Sequence, residues 1–147
     1  SARGLVDAFS RVVELGVRQI SLADTVGLAP PDAIAQTFGT ILTVHRDIEI
    51  GVHLHARRDQ AAARIRAAYD AGCRRFDAAI GGLGGCPFAQ DEMVGNIPTE
   101  ILLATLEECG AELPRLGGLD QLMRASAEIA GEYSAIGRRR TILHPRV

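Results

Sequence analysis

A chain of 147 residues with a formal net charge of −2 is long enough to bury one core. It is too near neutrality to be drawn by charge to nucleic acid or an anionic membrane, and no partner of either kind is expected. With 47% apolar and 23% charged residues it has the mix of a globular domain, with no apolar run long enough to span a bilayer.

Leu5, Val6, Phe9, Val12 and Val13 recur at helical spacing, and Gly16 is a natural stop. The alternating, partly β-branched stretch 17–23 reads as a strand. It runs into Asp24-Thr25-Val26-Gly27. Polar residues just beyond a strand's C-terminal end lie where α/β folds bind ligands. Asp24 is thus either a site carboxylate or a loop residue capping local amides.

Pro30-Pro31-Asp32 opens a second helix, with Ile34, Phe38, Ile41 and Leu42 on its buried face. In the stretch 48–55, Ile48, Ile50, Val52 and Leu54 point one way while Gly51, His53 and His55 point the other. Two imidazoles two residues apart on a strand share a face, so both can reach one cation. The alternative is a pair of polar residues at a strand end. His45 and His144 have no such setting and read as surface residues.

A third helix is expected from about Asp59 to Ala71, stopped by Gly72, with Arg57, Arg58, Arg64 and Arg66 on its solvated side. Arg57 and Arg58 follow His55 directly, so they are also placed to meet an anionic substrate group. The stretch 75–80 is a third strand. A helix opens at Pro98-Thr99-Glu100 and runs through Cys109, and a last one carries Leu119, Leu122, Ser126, Ile129 and Tyr133 on one side. The basic tail Arg138-Arg139-Arg140 reads as the solvated end of a helical segment.

Between the third strand and the fourth helix lies Gly81-Gly82-Leu83-Gly84-Gly85-Cys86-Pro87-Phe88-Ala89, continued to Gly95-Asn96. Glycine lets a backbone turn through positive φ and come close to a ligand, which makes Gly85 a candidate substrate contact. Proline fixes the residue after Cys86. Such a loop holds a thiol in one place, or it is a plain turn around an inert cysteine. It is not a dinucleotide fingerprint, because after Gly82-Leu83-Gly84 the third glycine position is Pro87. Cys73 and Cys109, each beside a glycine at a helix end, read as structural. The irregular spacing of the three cysteines makes no disulfide framework, and with no signal peptide a cytoplasmic setting is expected.

Strands alternating with helices imply an α/β fold with a parallel sheet and right-handed crossovers. All three strands end in candidate site residues, the layout of a barrel's active face. A (β/α)8 barrel takes eight strands and roughly 250 residues. Residues 1–147 are therefore expected to be one partial barrel: the C-terminal portion, three parallel strands plus an extra C-terminal helix. The missing N-terminal half, or a partner chain in a homo-oligomer, would complete it.

Three segments, 20–27, 52–55 and 82–89, followed by Gly95-Asn96, resemble the C-terminal half of the 3-hydroxy-3-methylglutaryl-CoA lyase family. That family sits within a metal-dependent lyase and synthase superfamily. The aspartate-threonine strand end and the His-x-His are shared across the superfamily, whereas Gly-Gly-Cys-Pro points to the lyase branch. The resemblance implies that His53, His55 and the side-chain oxygen of Asn96 are metal ligands. It also implies that Cys86 is the catalytic thiol and Asp24 an active-site carboxylate. A divalent cation, Mg²⁺ or Mn²⁺ by its oxygen-rich site, is the implied cofactor, although two imidazoles also admit Zn²⁺ or Co²⁺. The implied reaction is retro-Claisen cleavage of a 3-hydroxyacyl-CoA to acetyl-CoA and a ketone, acetoacetate for the family's own substrate. The family's remaining ligand, an aspartate, and the arginine beside it lie on a first strand that these residues do not contain, so this portion alone is expected to be inactive. Two departures flank the site: Ala56-Arg57-Arg58 where many members have Asp or Asn and Thr, and the acidic stretch 90–94. Both bear on substrate identity more than on reaction type. A synthase or aldolase of the superfamily, and a non-catalytic half-barrel, are the alternatives.

Overall fold

The computed structural model describes residues 2–84, 94–114 and 116–143. The chain divides into two compact units, 1–113 and 114–147.

The first unit holds helices α1 (Ala2–Glu14), α2 (Pro31–Val44), α3 (Ala61–Asp70) and α4 (Thr99–Glu108), and strands β1 (Gln19–Asp24), β2 (Glu49–Ala56), β3 (Arg75–Asp77) and β4 (Gly95–Asn96). The sheet runs β1-β2-β3, both pairings parallel, with Gln19 opposite Glu49, Ala23 opposite His53, and His53 opposite Asp77. This is the parallel α/β arrangement expected. One element was not foreseen: β4 pairs antiparallel with the end of β2, setting Asn96 against His55 and Gly95 against Ala56. Two residues, one of them glycine, are too short a signal to read as a strand. β3 also ends earlier than expected. Ala79 makes an isolated bridge to Pro98, and 80–82 form a 3-10 turn with Gly81 at φ 68°. Likewise the third helix starts at Ala61, after a 3-10 turn at 58–60.

The core lies on one side of the sheet. Ile48, Ile50, Val52 and Leu54 face α2 and α3, which contribute Ile34, Phe38, Ile41, Ala61, Ile65 and Ala68; α4 adds Leu102 and Leu106, and α1 adds Phe9. Each fully buried Ile, Val or Leu is worth roughly 1.5–3 kcal/mol in removal from water. His45 departs from the surface reading. Its Nε2 lies 2.9 Å from Ser10 Oγ and its ring 5.1 Å from that of Phe9, so it pins the end of α2 to α1. Cys73 is fully buried and its thiol is pushed up to about 11, chiefly by burial, as suits an inert core residue.

The other side of the sheet is polar and open. Its lowest layer is Gln19, Glu49 and Arg75: Gln19 donates to Glu49 at 2.6 Å and Arg75 pairs with Glu49 at 3.2 Å. By register Ser21 lies level with Gly51 and Arg75, and above them His53 lies opposite Asp77. The second unit, taken by itself, contains α5 (Leu119–Leu143), where Leu122 and Ile129 are exposed. The side chains of Tyr133 and Arg138–Arg140, and His144, lie outside the described residues. No helix among the described residues is long and apolar enough to cross a membrane.

Ile65 is fully buried where α3 meets the sheet, so truncating it leaves a cavity in the core. Ile65→Ala is expected to cost about 2–5 kcal/mol by urea unfolding. Leu122→Ala on exposed α5 is expected to stay within about 0.5 kcal/mol.

Candidate active site

Strand periodicity and register together bring the candidate residues to the C-terminal edge of the sheet. His53 and His55 project from the same face of β2, and their Nε2 atoms are 3.2 Å apart. Two ligands of one ion at about 2.0–2.1 Å, at right-angled to tetrahedral angles, lie roughly 3 Å from each other. The observed separation is therefore one that a shared cation fits. Asn96, opposite His55 in β4, donates its side-chain nitrogen to Leu83 O at 2.9 Å, which leaves its side-chain oxygen as the group to offer. The amide of Asn96 donates to Gly84 O at 3.1 Å. Gly84 sits at φ 89°, where a Cβ would come within 3.0 Å of Asn96 Nδ2. Only glycine allows the loop to wrap so closely around this asparagine.

Asp77 was not singled out in the sequence. Its carboxylate lies 3.6 Å from His53 Nδ1 and 3.5 Å from Ser21 Oγ. A carboxylate behind a ligating imidazole favours the tautomer with its proton on that side, leaving Nε2 free to bind. The signal available was an aspartate at a strand's end on the face of the histidines.

Asp24 is placed at the same edge. Oδ1 accepts the Leu28 amide at 3.1 Å, and Oδ2 accepts the Ala29 amide at 2.9 Å and Arg64 Nη1 at 3.3 Å. The carboxylate thus anchors the turn after β1. An apolar cavity of about 210 Å³ opens beside it, on the side of Leu22, Val52 and Leu54. It is not the candidate site, because the histidines face the other way.

Arg64 corrects the expectation that it belongs to the solvated side of α3. It is 6% exposed and reaches under the site. Besides Asp24 it donates to His55 O at 2.9 Å, Gly27 O at 2.8 Å and Gln60 Oε1 at 3.3 Å. Helical spacing alone could not show this, because the position is decided by acceptors from three other segments. Arg66 does lie outside, paired with Glu108 at 2.8 Å. Arg57 pairs with Asp59 at 3.5 Å, and Arg58 with Glu100 at 2.8 Å. Glu100 also accepts the Gly81 amide at 3.1 Å, so it ties the start of the glycine loop to the turn after β2. Burial opposes its ionisation, but its own helix N-terminal amide, Arg58 and Gly81 outweigh burial and hold the carboxyl below its usual range. Cys86 and Gly85 lie outside the described residues.

Residues 1–129 match the family model HMGL-like, and the chain belongs to that family. Over 91 residues it is 46% identical to an (R)-citramalyl-CoA lyase of Chloroflexus aurantiacus, covering 62% of this chain and 28% of that protein. Over 100 residues it is 39% identical to a hydroxymethylglutaryl-CoA lyase of Pseudomonas mevalonii, covering 68% of this chain and 33% of that one. The chain therefore spans about a third of the length of these relatives. Among solved structures, an HMG-CoA lyase from Acinetobacter baumannii in complex with coenzyme A and 3-methylmalate superposes with a TM-score of 0.76 at 37% identity. It covers 89% of this chain and 43% of that one. The fold is thus a portion of a TIM barrel.

The surroundings of His55 change its titration. Burial lowers its pKa below 6.5, the neighbouring His53 lowers it further, and Asp24 opposes both. The unfolded chain thus binds this proton more readily than the folded one. The effect on stability is absent above pH 6.5 and becomes a penalty as pH falls through 6.5 toward the folded pKa. In the metal-free protein, His53→Ala is expected to raise the His55 pKa part of the way back toward 6.5, because burial remains. Ring-proton NMR titration reads the shift, and an unchanged or lower value contradicts this account.

Proposed function

We propose that this chain forms part of the active face of a lyase that cleaves a 3-hydroxyacyl-CoA between C2 and C3, giving acetyl-CoA and a ketone. The observation that carries the reading is the pair of imidazole nitrogens 3.2 Å apart at the strand edge, with Asn96 set against His55 by β4. The names of the relatives, both CoA-ester lyases, support the substrate class.

His53, His55 and the Asn96 side-chain oxygen would hold a divalent cation, which when bound supplies Lewis acidity to the substrate's tertiary hydroxyl and lowers its pKa. Two imidazoles and oxygen donors suit Mg²⁺ or Mn²⁺ in an open site, with Zn²⁺ or Co²⁺ also compatible. The chain's own residues then orient and move protons. Asp77 faces the His53 ring from behind at 3.6 Å and favours a proton on that side. Asp24, at the end of β1, is the active-site carboxylate of this reading. A base removes the hydroxyl proton as the C2–C3 bond breaks; the electron pair of that bond passes to the thioester enolate and the hydroxyl oxygen becomes the ketone. Cys86 donates a proton to enolate C2; a thiol of unperturbed pKa about 8.5 suits that exchange. Gly85 and Arg57 are the proposed substrate contacts.

A second reading concerns the acyl group. Citramalyl-CoA has one methylene fewer than hydroxymethylglutaryl-CoA between the carbinol carbon and its carboxylate, and would release pyruvate instead of acetoacetate. The 46% identity to a citramalyl-CoA lyase, with Ala56-Arg57-Arg58 after the histidine pair, favours testing it alongside the first.

The test is turnover of both esters by the full-length protein, with and without EDTA and with Mn²⁺ restored. Cleavage of one ester, lost on chelation and recovered with Mn²⁺, is expected; no cleavage of either overturns the reading.

Cys86→Ala in the same protein is expected to retain Mn²⁺ binding and folding while turnover falls by roughly 10²–10⁴, the usual contribution of a positioned acid or base. Full activity in that variant removes the thiol from the mechanism. Loss of Mn²⁺ instead would make Cys86 a ligand.

A further inference from the structure

The geometry points to Arg64 as a positioning residue that couples the strand end bearing Asp24 to the backbone of His55; this rests on the reading of the site given above. Four observations converge on it. The guanidinium is almost fully withdrawn from water, with 8% of its side chain exposed. It is planar and presents donors in a fixed fork, so the places it binds are held at set distances from one another. Those places are the Asp24 carboxylate, the Gly27 carbonyl in the turn after β1, the His55 carbonyl on β2, and Gln60 in the turn leading to α3. The packing between them leaves no slack. Gly27 sits at φ 67°, where a Cβ would come within 2.9 Å of His55 O and 2.8 Å of a Val94 methyl.

The consequence is directional. His55 O and the His55 ring belong to one residue, so fixing the carbonyl fixes the Cα–Cβ vector that aims the ring at His53. Asp24 is fixed by the same cation, and through it the Leu28 and Ala29 amides. A shift of α3 relative to β1 would therefore move the carboxylate and the imidazole together. Neither is a direct Arg64 contact with substrate, so the residue acts through others. Lysine cannot replace it, because one ammonium group on a single stem cannot span acceptors spread over three segments.

The test uses the full-length protein with Arg64→Lys, which keeps the charge, and Arg64→Met, which keeps the stem. Arg66→Lys, on the exposed side of α3, is the control. Two readouts besides turnover are taken: the Mn²⁺ dissociation constant by electron paramagnetic resonance, and hydrogen exchange of the metal-free protein at Leu28 and Ala29. In Arg64→Lys, exchange at both amides is expected to quicken, and the Mn²⁺ dissociation constant to rise about 10–100-fold, the usual effect of losing a group behind a ligand. The loss in turnover should fall on kcat with KM little changed. Arg66→Lys should stay within about twofold of the parent throughout. If Arg64→Met does not fold, Arg64→Lys alone decides. Unchanged exchange, with Mn²⁺ affinity and kcat within about twofold of the parent in Arg64→Lys, overturns the inference, whatever happens to thermal stability. If the parent protein binds no Mn²⁺, the metal reading falls and the exchange comparison still decides on Arg64.

Discussion

Strand β2 carries two demands that only a period-two backbone can meet at once. Successive side chains of a strand leave on opposite faces. Ile50, Val52 and Leu54 therefore pack under α2 and α3 while Gly51, His53 and His55 turn to the open face. Among the described residues, β2 is also the strand that the others pair with: β1 and β3 in parallel and β4 antiparallel. A slip of one residue would bury two imidazoles among aliphatic side chains and expose the core set. The hydrophobic energy of the helix-covered side thus enforces the placement of the histidines on the other.

What β2 cannot do is hold the neighbouring loops, and that falls to a buried charge. Taking a guanidinium and a carboxylate out of water is costly, and their attraction offsets the cost only where the remaining donors and acceptors are also matched. Here they are. Asp24 accepts two amides as well as Arg64, and Arg64 donates to two carbonyls and a glutamine besides Asp24. Removing one partner from such a pair typically costs about 3–5 kcal/mol, because the other charge stays buried and uncompensated. The arrangement therefore contributes a defined geometry at the strand ends more than it contributes stability.

The open face is graded along the strands. In its lower layer Gln19 donates to Glu49 and Arg75 pairs with Glu49, while Arg75 Nη2 is buried without a hydrogen-bond partner among the described residues. The next layer has Asp77 behind His53, and the top has the two imidazole nitrogens with Asn96 across from His55. Chemistry-bearing groups thus gather at the C-terminal edge, as in TIM barrels generally. Membership of the HMGL-like family, with the chain spanning about a third of its relatives, accords with a portion of such a barrel.

The alternation of β2, the strand end at Asp24-Thr25-Val26-Gly27 and the glycine run were all legible in the sequence, because each depends on local periodicity or on residues with restricted backbone choices. From these the parallel α/β layout and the shared edge of Asp24, His53 and His55 could be read directly. Asn96 was legible only through resemblance. Its place opposite His55 depends on a two-residue strand that forms because β2 offers it an edge. Asp77 and Arg64 were not legible as site residues. Asp77 gains its meaning from the register between β2 and β3, and Arg64 sits at a position of α3 that spacing assigns to no function. Its burial is decided by carbonyls and a carboxylate distant in sequence, 37 residues away for Gly27 and 40 for Asp24. Periodicity determines which way a side chain faces; what waits there to receive it is decided only when the other segments have packed.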